Sequence, residues 1–144
     1  MKNLIFRTNE NYATLILRVV LGTIIIIHGI DKLGEGFQPF MSYFTDILNM
    51  PAVLGWLTIF IETVGCLMLI LGFATRINAV LLFGLFSGMI IFVHWGDGFL
   101  MNWFGQLEAG KEGFEYHLLV LAMSAALFIM GSGALSIDKY LTKA

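Results

Sequence analysis

Apolar residues gather in four long runs along this chain, at residues 12–30, 51–72, 77–95 and 114–132, and most charged residues fall between them. Each run approaches the roughly twenty residues that a helix needs to cross hydrocarbon. The link at residues 73–78 is so short that the second and third runs must form an antiparallel helical hairpin, with Thr75 as the expected N-cap of the third helix. The other two links are longer. In the first, Pro39 can start a helix whose Phe40, Tyr43, Phe44 and Ile47 share one face, as a helix lying in the membrane interface would. In the second, Trp95, Gly96, Gly98, Phe99, Trp103, Phe104 and Gly105 read as a loop at headgroup level. The pattern predicts an all-α membrane protein. It would be an antiparallel bundle of four transmembrane helices with a short interfacial helix after the first span, forming a single domain over residues 1–144.

Composition narrows the classes further. Hydrophobic residues make up 58% and charged residues 12%, with a mean hydropathy of +0.86, whereas soluble domains carry about 25% charged residues. A net charge of −2 gives no basis for a nucleic-acid partner. Cys66 is the lone cysteine, so there is no disulfide framework, CxxC pair or zinc-ribbon spacing, and a two-cysteine relay between thiols and quinones is excluded. It reads as a small core residue.

The polar start of the chain, with Lys2, Arg7 and Glu10, leads into a run that contains Arg18 and no small-x-small cleavage site. The first span is therefore expected to be retained. Lys2, Arg7, Arg76, Lys139 and Lys143 flank one side of the membrane, Lys32 and Lys111 the other, which places both termini in the cytoplasm. Gly84-x-x-x-Gly88 and the Ser124-Ala125-Ala126 run would let helix backbones approach closely, within the bundle or in a homo-oligomer.

The candidate chemistry lies in the few polar residues inside the spans. Glu62 is the one charged residue in residues 51–73, and a carboxylate at that depth must pair, take up a proton or line a wet cavity. An Arg18 side chain aimed inward would be its partner; snorkelling to the cytoplasmic surface is the alternative. Such a pair reads equally as a structural lock or as part of a reactive site.

At the outer end, His28 and Lys32 share a face of the first helix, His94 ends the third, and Glu115 and His117 open the fourth. Together they predict a polar pocket near the outer leaflet. Singly, each also reads as a solvated interfacial residue, with Lys32 complementing a helix C-terminus. No HExxH or CxxCH is present, so no metal site is assigned. Haem would need axial ligands on facing helices, for which His28 with His94 or His117 is the only support.

These residues carry a family resemblance. Arg18, Gly22 and His28-Gly29-x-x-Lys32-Leu33 resemble the first-helix signature of the DoxX family of membrane proteins. Glu62-Thr-Val-Gly65 and Leu71-Gly72-Phe73-Ala74-Thr75-Arg76 are similar to its second-helix hairpin. His94, Glu115 and Gly131-Ser-Gly133-Ala-Leu-Ser136-Ile-Asp138 complete the match over residues 12–138. The resemblance implies a four-helix protein of the bacterial inner membrane, and by analogy a link to quinone or thiosulfate:quinone redox chemistry.

Two readings follow. The first is a redox-associated subunit that binds a quinone or another small lipophilic molecule. Arg18 and Glu62 would be its inner polar pair, and His28, Lys32, His94 and Glu115 would face the ligand's oxygen atoms. The second is a non-catalytic scaffold or assembly factor, with a polar core that only locks the helices. Its membrane-protein partner would bind the aromatic loop or the Gly84–Gly88 face.

Overall fold

The computed structural model describes Phe6, Thr8 and residues 10–105, 107–108 and 111–143. Lys2 and Arg7, on which the orientation reading partly rests, lie outside them. All regular structure among the described residues is helical. Helix α1 spans Tyr12–Leu33, α3 Ala52–Leu71 and α4 Thr75–Asp97, each long and apolar enough to cross a membrane. Helix α5, Glu115–Met130, is apolar but shorter. Between α1 and α3 lies the short α2, Phe37–Ser42, which runs on as a π turn over Tyr43–Ile47. Helix α6, Ile137–Lys143, closes the chain.

The protein is a helical membrane bundle, as the hydropathy predicts. Its core joins Leu21 and Ile25 of α1, Ile61, Cys66 and Leu69 of α3, Leu82 and Phe86 of α4, and Val120 and Leu127 of α5. Helix α2 starts two residues before Pro39 and packs on α3, with the Phe37 and Trp56 rings 5.1 Å apart and tilted by 47°.

Helix ends are fixed by specific bonds. Asn11 caps α1 through its side chain, accepting from the Ala13 N–H at 2.8 Å. Gly72 ends α3 in a left-handed conformation, φ 67°, and the Gly72 and Phe73 N–H groups return to the Leu69 and Met68 carbonyls. That is a Schellman ending, which favours glycine. A Cβ there would also lie 2.5 Å from the Ser136 side chain.

The expected cap of α4 is not the one found. Thr75 is the first residue inside the helix, and its hydroxyl has no partner. The Asp138 carboxylate does the capping instead, accepting from the Ala74 N–H at 2.7 Å and the Thr75 N–H at 3.0 Å. A carboxylate satisfies two orphan donors at once and complements the positive end of the helix dipole, which a threonine hydroxyl cannot match. It also holds Ala74 at φ 48°, an unfavourable conformation for a residue with a Cβ. Asp138→Ala should lower stability by about 1–2 kcal/mol, read as a drop in the unfolding midpoint in detergent.

The glycines of Gly84-x-x-x-Gly88 do not serve as contacts within the bundle. A Cβ added at either would meet no atom within 4 Å. Both border an outward-facing apolar groove of about 450 Å³ between α3 and α4, with Phe44 and Met50 along its wall. The close helix approaches occur elsewhere, at Gly22 against Ile70 and Cys66 and at Gly29 against Glu62 and Thr63.

Candidate functional site

Glu62 and Arg18 do not meet. The contacts of Gly22 and Gly29 set an antiparallel register of α1 on α3 in which position 62 lies opposite 29, not 18. Arg18 is eleven residues from Gly29, about 16 Å along the helix. Its guanidinium turns instead to carbonyl groups at the end of α3 and in the segment after α5. Nε donates to the Ser132 carbonyl at 2.9 Å, and Nη2 to those of Ala134 at 3.0 Å and Leu135 at 2.6 Å. Nη1 donates to the Leu69 carbonyl at 3.4 Å and to that of Ile70.

Five carbonyls thus meet the five N–H donors of one arginine. The carbonyls at a helix C-terminus lack intrahelical partners and carry partial negative charge, so a cation is drawn there. Arg18 is 1% exposed. It neither snorkels nor pairs with Glu62; it ties α1 to the ends of α3 and α5.

Glu62 pairs with Lys32, Oε2 to Nζ, at 2.5 Å, with side chains 2% and 19% exposed respectively. The Lys32 ammonium also stands 5.2 Å from the centre of the Phe40 ring. A charge-assisted bond of this kind lets a carboxylate remain inside a span. Glu62 sits in a π turn, Ile61–Gly65, and His94 ends another, Ile90–His94. A π turn inserts a residue and re-aims the side chains around it, and such turns often mark functional sites.

The residues expected near the outer leaflet separate into distinct groups. His28 is exposed and not part of a buried pocket. His94 and His117 face one another across α4 and α5, with ring centres 4.5 Å apart. Phe86 lies 5.4 Å from the His117 ring and 6.4 Å from that of Tyr116. His94 Nδ1 is 2.8 Å from the Glu112 carbonyl oxygen; since a carbonyl only accepts, that nitrogen is the donor.

Glu115 turns to the aromatic loop. Its Oε1 accepts from the Met101 N–H at 3.0 Å and from Trp103 Nε1 at 2.8 Å. The Glu112 carboxylate holds the Asn102 N–H at 2.8 Å. These carboxylates shape the loop, leaving Trp95, Trp103 and Phe104 exposed at its surface.

Two residues of this arrangement take roles that residue spacing does not assign. Asp138 acts 63 and 64 residues from its partners, so no local spacing announces it. Tyr116 has no part in the sequence-based expectation; its position between Glu115 and His117 at the start of an apolar helix is the signal that was available.

The motif residues therefore interlock: Arg18 with the end of α3 and the segment after α5, Gly22 and Gly29 with α3, Lys32 with Glu62, and Asp138 with the start of α4. The DoxX family model matches residues 13–95, which carry the first three of these long helices. The chain belongs to the DoxX family. A DoxX-like relative from Bacillus subtilis (strain 168), with the name "Putative oxidoreductase CatD", is 32% identical over 130 residues, covering 90% of this chain and 87% of its own. No solved structure matches.

Proposed function

We propose that this DoxX protein is a redox-associated subunit of the bacterial inner membrane that holds a quinone-type or similar small lipophilic molecule within its bundle, with both termini in the cytoplasm. The observation that carries this reading is the set of ionisable side chains turned inward at mid-span and at the outer end. Lys32 and Glu62 lie between α1 and α3, and His94 and His117 between α4 and α5, with π turns at Glu62 and His94. Ionisable groups inside a membrane span are rare and tend to mark ligand or proton pathways. Neutral histidine can donate to one ligand oxygen and accept from another. The aromatic loop would cover the outer end and exclude water. The name of the Bacillus relative is in keeping with redox chemistry, although it says nothing of the ligand.

The protein should be isolated in native lipid nanodiscs, extracted with organic solvent and analysed by mass spectrometry. The expected result is a quinone or comparable lipophilic compound in stoichiometric amount and enriched over the surrounding lipid. An extract matching bulk lipid overturns the proposal.

The open groove at Gly84 and Gly88 supports a second reading, a scaffold whose membrane partner seats there. In that case Gly84→Ile would release a crosslinked partner while His94→Ala and His117→Ala leave every phenotype intact.

A further inference from the structure

Most polar side chains in the bundle already have partners. Lys32 and Glu62 are committed to each other, Arg18 to backbone carbonyls, Glu115 Oε1 to the loop and His94 Nδ1 to the Glu112 carbonyl. Five buried side-chain atoms among the described residues have none: Thr75 Oγ1, Arg76 Nε, the Tyr116 hydroxyl, His117 Nδ1 and Ser124 Oγ. The first two lie at the opposite end of α4, where the Asp138 cap operates. The other three share α5. Hydrocarbon offers no water to satisfy them, and buried polar groups in native proteins rarely go unpaired.

We propose that the Tyr116 hydroxyl and His117 Nδ1 hold the oxygen atoms of a flat ring ligand, bound between α4 and α5 beside Phe86. The proposal rests on the reading that the bundle takes a lipophilic redox ligand, and it assigns that ligand's polar contacts to α5 rather than to Lys32 and Glu62. His117 is 7% exposed, and its unpartnered nitrogen can accept from a hydroxyl or, in the other tautomer, donate to a carbonyl. The Tyr116 phenol can donate to a ligand oxygen. Adjacent residues on a helix point about 100° apart, so the two groups meet different ligand oxygens rather than one. Phe86, close to both rings, supplies an aromatic wall for a planar head. Ser124 lies two helical turns farther on, about 10 Å from His117, beyond the reach of the same head.

The test is equilibrium dialysis of a short-chain benzoquinone, and separately of its quinol, against protein in nanodiscs. Tyr116→Phe and His117→Leu should each weaken binding about five- to tenfold, the loss expected of one hydrogen bond to a buried partner. Without ligand, Tyr116→Phe should melt no lower than the parent, because the hydroxyl it removes has no partner to lose. Parent and variants binding equally well overturns the assignment to α5 and leaves the proposed function standing. A parent that binds neither probe overturns both. A Tyr116→Phe protein that melts well below the parent without ligand shows that the hydroxyl has a structural partner, and overturns the assignment as well.

Discussion

Arg18→Ala is expected to prevent the bundle from assembling, or to leave it unfolding at far lower temperature. Four carbonyls around the guanidinium, those of Ile70, Ser132, Ala134 and Leu135, would lose their donor inside a nearly water-free interior, while that of Leu69 keeps the Gly72 N–H. An unsatisfied buried acceptor costs about 1–3 kcal/mol. Relaxation of the chain would relieve some of these, so a net loss of about 3–5 kcal/mol is expected, in line with breaking a buried charged contact. A loss of that size is a large share of a typical folding free energy of about 5–15 kcal/mol. Arg18→Lys keeps the charge but offers three donors on a point-like head, too few and too compact for five acceptors. It should fall between parent and Arg18→Ala. The comparison is made by size-exclusion profile and thermal unfolding in mild detergent, and an Arg18→Ala protein that melts as the parent does would show that the carbonyls find other donors.

The second large effect is an asymmetry at the Lys32–Glu62 pair. Lys32→Met leaves a carboxylate that is 2% exposed without its cation, and an uncompensated buried charge costs about 3–5 kcal/mol. Glu62→Gln should be milder. Lys32 is 19% exposed, its stem can carry the ammonium outward, and the Phe40 ring remains 5.2 Å away. The double variant should regain much of the stability lost in Lys32→Met, because removing both charges also removes the burial cost of each. A four-way cycle of unfolding midpoints measures this. If Lys32→Met proves no less stable than Glu62→Gln, the ion pair does not hold α1 to α3.

Much of the architecture was legible in the sequence, and particular residues show why. The alternation of apolar runs and charged links located the long helices because hydrocarbon tolerates neither exposed backbone nor unpaired charge. The 73–78 link forced a hairpin for want of length, and Pro39 marked a short helix to within two residues. The candidate site was legible only as a set of residue types. Lys32 and Glu62 were both singled out, yet Glu62 was joined to Arg18, since depth from the helix ends was the available guide. Depth fixes how far each residue lies along the membrane normal, but pairing depends on helix register, and Gly22 and Gly29 set that register through close approach to α3.

The sequence by itself determined the membrane setting, the long helices and the presence of ionisable groups among them, because these follow from solvation of each residue type taken singly. Tertiary structure alone decided the partners. Arg18 binds backbone carbonyls, which every residue possesses and which therefore leave no signature in residue identity. Asp138 caps a helix begun more than sixty residues earlier, and the π turns at Glu62 and His94 re-aim side chains that an ideal helical period would place elsewhere. Which polar atoms remain unpartnered depends on every other contact being in place, so only the folded chain shows that the Tyr116 hydroxyl and His117 Nδ1 lack partners.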